Sequence, residues 1–202
     1  EISGITSILL SLFILISVTS YSSFDPSILN LNNYEVKNIG GYIGANVSEL
    51  LIQFFGYNSI LICIILISWG CKLFFSKNLE LFALNFLLLP FTVYLLALFF
   101  EALHVPISNG FIATQSLIVI DQANILANAY LHYSFIIFIF IFFLVSLYFT
   151  MGLKLDEWLK LFKTSWQLNK TFILGCMKLF FIAKSSFIKI SAREGTFKEN
   201  IP

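Results

Sequence analysis

Charge is scarce in this chain: 11% of its 202 residues are Asp, Glu, Lys or Arg, against about a quarter in an ordinary soluble domain. A monomer with a polar shell cannot be built from so little. Three cysteines, Cys63, Cys71 and Cys176, form an odd set without CxxC spacing. They give no disulfide framework or zinc ribbon and read as buried thiols serving as small hydrophobes. Glycines with a properly spaced Lys-Ser or Lys-Thr are also missing. Neither Gly40-Gly41-Tyr42-Ile43-Gly44 nor Gly175-Cys176-Met177-Lys178 has the spacing that cradles a phosphate, so nucleotide binding is not expected here. No nucleophile is recognisable beside a base. Position 1 is Glu rather than Met, and Lys and Arg are absent before the first apolar run. The expectation is a missing start rather than a cleaved signal peptide, which would show a basic n-region.

Apolar residues fill the space that charge leaves. They make up 58% of the chain, with 24 Phe and a mean hydropathy of +0.89, so lipid must solvate much of it. Four runs are long enough to cross a bilayer: residues 5–21, 56–75, 81–103 and 131–151. In the first, Ser and Thr can return hydrogen bonds to their own helix backbone, and the run ends in the interface anchor and stop Tyr21-Ser22-Ser23-Phe24-Asp25-Pro26. Lys72 stands close enough to the end of the second to snorkel. The third contains Asn85, Pro90 and Glu101. A central proline kinks a membrane helix without forbidding it.

Lys and Arg collect on cytoplasmic flanks. Lys37 alone lies between spans one and two, and none lies between three and four. Lys72 and Lys77 border the short link between two and three, and nine more follow span four. Both termini are therefore expected to be cytoplasmic, with the two longer loops outside. The overall charge of +1 conceals this sidedness: nine cations against four carboxylates leave the tail at +5, and three against seven leave the rest at −4.

The most patterned polar stretch runs from Asn38 to Gly56. From Val47 it reads as an amphipathic helix leading into span two, with Leu50, Leu51, Phe54 and Phe55 on one side and Glu49 and Gln53 on the other. Gly40, Gly41 and Gly44 permit a tight turn; the small pairs Gly40/Gly44 and Gly41/Ala45 would also let helices of two subunits touch. Turn use is the preferred reading of the two. After span four, Leu155, Leu159, Phe162 and Trp166 form a stripe with Lys160 and Lys163 away from it, a basic amphipathic helix suited to anionic headgroups. The apolar run 172–183, broken by Lys178, is too short to span and is expected to pack at the interface or on a partner. The expected organisation is all-α and integral to the membrane: a four-span domain over 1–152, a cytoplasmic basic amphipathic segment over 153–190, and the start of a flexible linker over 191–202.

Ionisable groups near membrane depth are few. Glu101 and His104 are i,i+3 and could share a proton on one helix face, but both fall at the outer end of span three, where an interfacial role is preferred. Asp121 and His132 flank the far side of the same loop without ligand spacing. A small multipass transporter or channel subunit is the alternative these residues and Pro90 motivate, weakened by the lack of intramembrane Asp, Arg or paired Glu.

Four spans with both ends inside, a first loop opening Tyr21-Ser22-Ser23-Phe24-Asp25-Pro26-Ser27, and the motifs Asn38-Ile39-Gly40-Gly41-Tyr42-Ile43-Gly44-Ala45 and Phe54-Phe55-Gly56-Tyr57 together resemble the amino-terminal membrane domain of the FtsK/SpoIIIE DNA translocases. Met151-Gly152-Leu153 followed by Glu157-Trp158 is similar to that family's passage into its cytoplasmic linker. The second outer loop departs from it, having Ser108-Asn109-Gly110-Phe111 where relatives often carry another glycine-rich turn, which puts a second-loop contact in doubt. The resemblance implies a non-catalytic anchor and oligomerisation domain acting in bacterial cell division and chromosome segregation. It also implies an inner-membrane location at the division septum and a ring, of six copies by family likeness. Asn38, Gly40, Gly41, Gly44, Ala45 and Gly56 would form the structural and oligomerisation motif, and Lys154, Trp158, Lys160, Lys163 and Trp166 the membrane-surface tail. No cofactor is implied for this segment, since ATP and Mg2+ belong to a separate motor. Its partners would be membrane lipids, its own copies and division-site proteins, with DNA met only through that motor. The chain is expected to be either a domain fragment or a shortened homologue.

Overall fold

A computed structural model describes residues 2–31, 34–75, 79, 82–105, 110–122, 128–160, 163–167 and 170–171. The run 172–183, the end 191–202, Cys176, Lys77, Phe162, Ser108 and Asn109 lie outside the described residues. The chain divides into two units, 1–152 and 153–202. The described residues of the first form six α-helices: α1 (Ile2–Thr19), α2 (Gly41–Phe55), α3 (Ile60–Phe74), α4 (Phe82–Ala102), α5 (Phe111–Gln122) and α6 (Ala129–Thr150), with a 3-10 turn, Gly56–Ser59, between α2 and α3. Among the described residues the protein is all-α, with four helical stretches long and apolar enough to cross a membrane.

The second of these stretches, Gly41–Phe74, holds 34 residues. A straight helix of that length would run about 51 Å, well beyond a hydrocarbon core of about 30 Å. Gly56 breaks it: its φ of 65° with ψ of −159° is a conformation open to glycine and closed to residues with a β-carbon. From that break the 3-10 turn and α3 together rise about 30 Å, so span two starts at the turn. Helix α2 is left outside the span.

The six helices form two halves of like plan, each a span, a short helix and a second span. In the first half, α1 and α3 run antiparallel at close range. A β-carbon on Gly4 would come within 2.5 Å of the Phe74 backbone nitrogen, and one on Gly70 within 2.5 Å of Ile8 Cγ1 and 3.0 Å of the Gly4 carbonyl. Farther along the same seam, Ser7 Oγ donates to the Leu66 carbonyl and Ser11 Oγ to the Cys63 carbonyl, both at 2.8 Å. These two serines cross to the neighbouring helix, while Thr6, Ser17 and Thr19 return their hydrogen bonds to α1 itself. Ile14, Val18 and Cys63 form the buried core here, with Val47, Leu51 and Ile52 of α2 packed against it.

In the second half, Ala97, Leu98 and Ala102 of α4, Ala113 and Leu117 of α5 and Ile139 of α6 are buried together. Aromatic pairs join α4 to α6: Phe99 with Phe140 at 5.1 Å and Phe91 edge-on to Phe142 at 6.2 Å between ring centres. Helix α4 continues through Pro90, and Thr92 Oγ1 donates to the Leu88 carbonyl at 2.8 Å. Outside the cores, the spans expose Leu, Ile and Phe on most sides, as lipid-facing helices do.

Candidate functional site

The densest polar cluster closes the loop end of the first half, where the chain leaves α1, crosses to α2 and turns into α3. It is assembled from short-range turn chemistry. Asp25 follows the end of α1 and its carboxylate accepts the backbone N–H groups of Lys37 and Asn38, each at 2.9 Å, gathering the two ends of the loop. Ser27 Oγ accepts the N–H groups of Leu29 and Asn30 and donates to Glu49 Oε2. Glu49 is only 5% exposed, and its other oxygen accepts from Gln53 Nε2 at 3.3 Å. Burial, with the Glu49 carboxylate second, pushes the Tyr21 phenol above its ordinary pKa.

Asn38 joins the pieces. Its Nδ2 donates to the Ser17 carbonyl at 2.8 Å and to Ser48 Oγ at 3.2 Å, and its Oδ1 accepts from the Gly40 N–H at 2.9 Å. The side chain thereby ties α1 to the loop and to α2. Gly40 and Gly44 make room for it. A β-carbon at Gly44 would stand 2.5 Å from Asn38 Oδ1 and 2.9 Å from Ser17 Oγ, and one at Gly40 2.7 Å from Ser17 Oγ. Ala45 is buried on the same face, whereas Gly41 meets open space. Five of the six motif residues thus sit inside the chain's own packing or at its turn, and Gly41 faces out.

Helix α2 differs from its sequence reading in two ways. It starts at Gly41 rather than near Val47, because Asn38 Oδ1 organises the preceding turn. Glu49 is buried and Leu51 packs on the core, while Gln53, Ile43, Leu50 and Phe54 are exposed, so neither the polar nor the apolar side read from the sequence faces one way. In a lipid-solvated chain an apolar side chain is free to face out and a hydrogen-bonded polar group to face in. Sequence reasoning missed Ser17, Asp25, Ser27 and Ser48; the Asp-Pro-Ser turn was a signal for two of them.

Helix α5 was not foreseen at all. It is 12 residues long, too short to span, and leans on α4 through Tyr94 OH to Ser116 Oγ at 3.0 Å and Thr114 Oγ1 to Glu101 Oε1 at 3.2 Å. Gly110 brings its start against α2: a β-carbon there would lie 2.6–2.8 Å from the Phe54–Phe55 backbone. The doubted second-loop contact is therefore present, made to the chain's own α2. His104 lies past the end of α4, which closes at Ala102, and has a positive φ of 56°. Asp121 is exposed at the end of α5. Among the described residues no group of three or more His, Cys, Asp or Glu gathers as a metal centre.

This arrangement of four spans and a polar first-loop closure meets a family match: the 4TM region of the DNA translocases FtsK/SpoIIIE matches residues 1–166. The chain belongs to that family. It carries that family's 4TM membrane region. A DNA translocase FtsK from Mesorhizobium japonicum is 33% identical over 64 residues, which cover 32% of this chain and 7% of that protein. The matched part therefore spans a small fraction of that relative's length. No solved structure matches.

At the opposite end of this 4TM domain, a second polar cluster ties the two halves together. Trp69 Nε1 donates to the Thr150 carbonyl at 2.8 Å. Thr92 Oγ1 lies 2.6 Å from both Ser146 Oγ and Thr150 Oγ1. Lys72 was expected to snorkel; instead it is 6% exposed and donates to the Gly152 carbonyl. Carbonyls left over at the end of α6 draw it inward, because a cation is favoured at a helix C-terminus.

Proposed function

We propose that this chain is the non-catalytic anchor and oligomerisation domain of an FtsK-type DNA translocase, working in cell division and chromosome segregation. It is placed in the bacterial inner membrane with both termini in the cytoplasm and collects at the division septum. The observation that carries the proposal is the match of the 4TM region over residues 1–166. The sidedness of Lys and Arg supports the orientation, which makes the loop end the outer face.

The tail supports attachment to the inner leaflet. Residues 155–160 and 163–167 are helical, and Lys154 N–H donates to Glu157 Oε2 at 3.1 Å, one half of a capping box. Leu155, Leu159 and Trp166 are all exposed, as are Lys160 and Lys163. Apolar side chains seated among headgroups, with lysines on anionic phosphates, satisfy both sets. In the full-length protein a linker would follow, and the anchor would raise the local concentration of motor subunits. ATP, Mg2+ and DNA would be handled by that motor.

Oligomerisation is assigned to the outward side of α2, with Ile43 and Leu50, held in place by the Asn38 cluster. Fluorescently tagged chain is expected to concentrate at the septum of dividing cells and to crosslink into oligomers. Ile43→Ser with Leu50→Ser, which leaves the polar cluster untouched, should remove the crosslinked species. Even distribution around the membrane would contradict the septal role, and unchanged crosslinking in the variant would contradict the assigned surface.

A further inference from the structure

At the loop end of the first half there is a hollow that the closing network does not fill. Its volume is about 320 Å3, and Phe24, Tyr34, Glu35 and Lys37 line it. That size is at the lower end for small-ligand sites. Asp25 fixes two sides of it. This residue follows Phe24, is 3% exposed and accepts the Lys37 N–H at 2.9 Å, while its own N–H donates to the Ser22 carbonyl at 3.1 Å. The backbones under Phe24 and Lys37 are thereby held by one buried residue.

The charges lining the hollow have no use within the fold. Glu35 and Lys37 are exposed, and among the described residues neither side chain takes part in a hydrogen bond or ion pair. Lys37 is also the one Lys or Arg between spans one and two, and none lies between three and four, as outer loops are poor in cations. Its neighbour Asn38 donates to the Ser17 carbonyl, which sets Lys37 beside the last turn of α1. A span of that length meets the headgroups there. Phe24 and Tyr34 are each 65% exposed. Aromatic rings are favoured at headgroup depth, and their faces attract an ammonium.

A cation, a carboxylate and two rings around one hollow fit a ligand that carries a phosphate next to an ammonium. We propose that the hollow holds the headgroup of phosphatidylethanolamine from the outer leaflet, with Lys37 on the phosphate and Glu35 on the primary ammonium. The leaflet named here rests on the orientation proposed above. A lipid is favoured over a soluble phosphoamine because the same loop exposes Ile28, Leu29 and Leu31, apolar side chains that a leaflet covers and water does not. An anionic headgroup would set its phosphate on Lys37 and leave Glu35 without a cation. A choline headgroup offers Glu35 no N–H donor. The bound lipid seats the first loop on the leaflet and so holds the Asn38 cluster and the start of α2 at headgroup depth.

The test uses the 202-residue chain in detergent micelles and counts bound lipid by native mass spectrometry. Phosphatidylethanolamine and phosphatidylcholine of the same acyl chains are compared, both zwitterionic, so that the lysines of the tail do not decide the result. The ethanolamine lipid should be retained about fivefold better. E35Q should remove that preference, and K37Q should weaken retention of both lipids, since each carries a phosphate. Both side chains are exposed, so the variants should unfold with the parent. Equal retention of the two lipids by the parent, or a preference that survives E35Q, would overturn the proposal. Displacement of the lipid by water-soluble glycerophosphoethanolamine at equal concentration would overturn the lipid as occupant. Micelles have no sides, so a wrong orientation leaves these results intact. Orientation is read separately with a membrane-impermeant amine reagent on spheroplasts, which should label Lys37; a Lys37 left unlabelled would overturn the outer leaflet.

Discussion

The two halves of the membrane unit share one plan and are held by different means. In the first, α1 and α3 approach until glycines touch backbone and serines donate to the neighbouring helix. A network through Asp25, Ser27, Asn38, Ser48 and Glu49 then seals the loop end. In the second, α4 and α6 meet through aromatic rings and one hydroxyl cluster, and α5 is held by two side-chain hydrogen bonds. The difference matters because lipid removes the hydrophobic drive between helices. Close packing and hydrogen bonds keep their value in that solvent; an aromatic contact competes with an acyl chain. The first half should therefore be the more brittle to substitution.

Substitutions can break or sharpen that contrast. Gly70→Leu forces a side chain into Ile8 and the Gly4 carbonyl, and should cost about 3 kcal/mol in unfolding by SDS in mixed micelles. Ser11→Ala removes one interhelical hydrogen bond at a fully buried site and should cost about 1 kcal/mol by the same method. Phe140→Leu, on the partly exposed ring that meets Phe99, should cost least, about 0.5 kcal/mol, since lipid fills the space it leaves. A larger loss from Phe140→Leu than from Gly70→Leu would reverse the ranking of the two halves.

The spans were legible because a run of about 20 apolar residues has few other uses. Gly56, read as the start of span two, is where the 34-residue helical stretch breaks. Less legible was what faces what. Apolar periodicity in α2 shows a stripe, but in lipid the stripe does not say which of its members point in: Leu51 packs inward along with the buried Glu49, while Leu50 and Phe54 face out. Helix α5 is short, and only Ala113 and Leu117 mark its buried face. Lys72 read as a snorkelling cation because its acceptor, the Gly152 carbonyl, lies 80 positions away. The closing network escaped notice for the same reason: Asn38 meets Ser17 and Ser48 only once α1 and α2 are folded together.

Asn38 and its glycines hold one chain together before they serve any assembly. Unfolding Asn38→Ala across a wide range of protein-to-detergent ratios separates the two roles. The variant leaves the Ser17 carbonyl and the Gly40 N–H without this partner, and two such groups should cost about 3 kcal/mol. That loss is expected at every ratio, including dilutions where no oligomer forms. A monomer as stable as the parent, with loss seen only where oligomers exist, would contradict it.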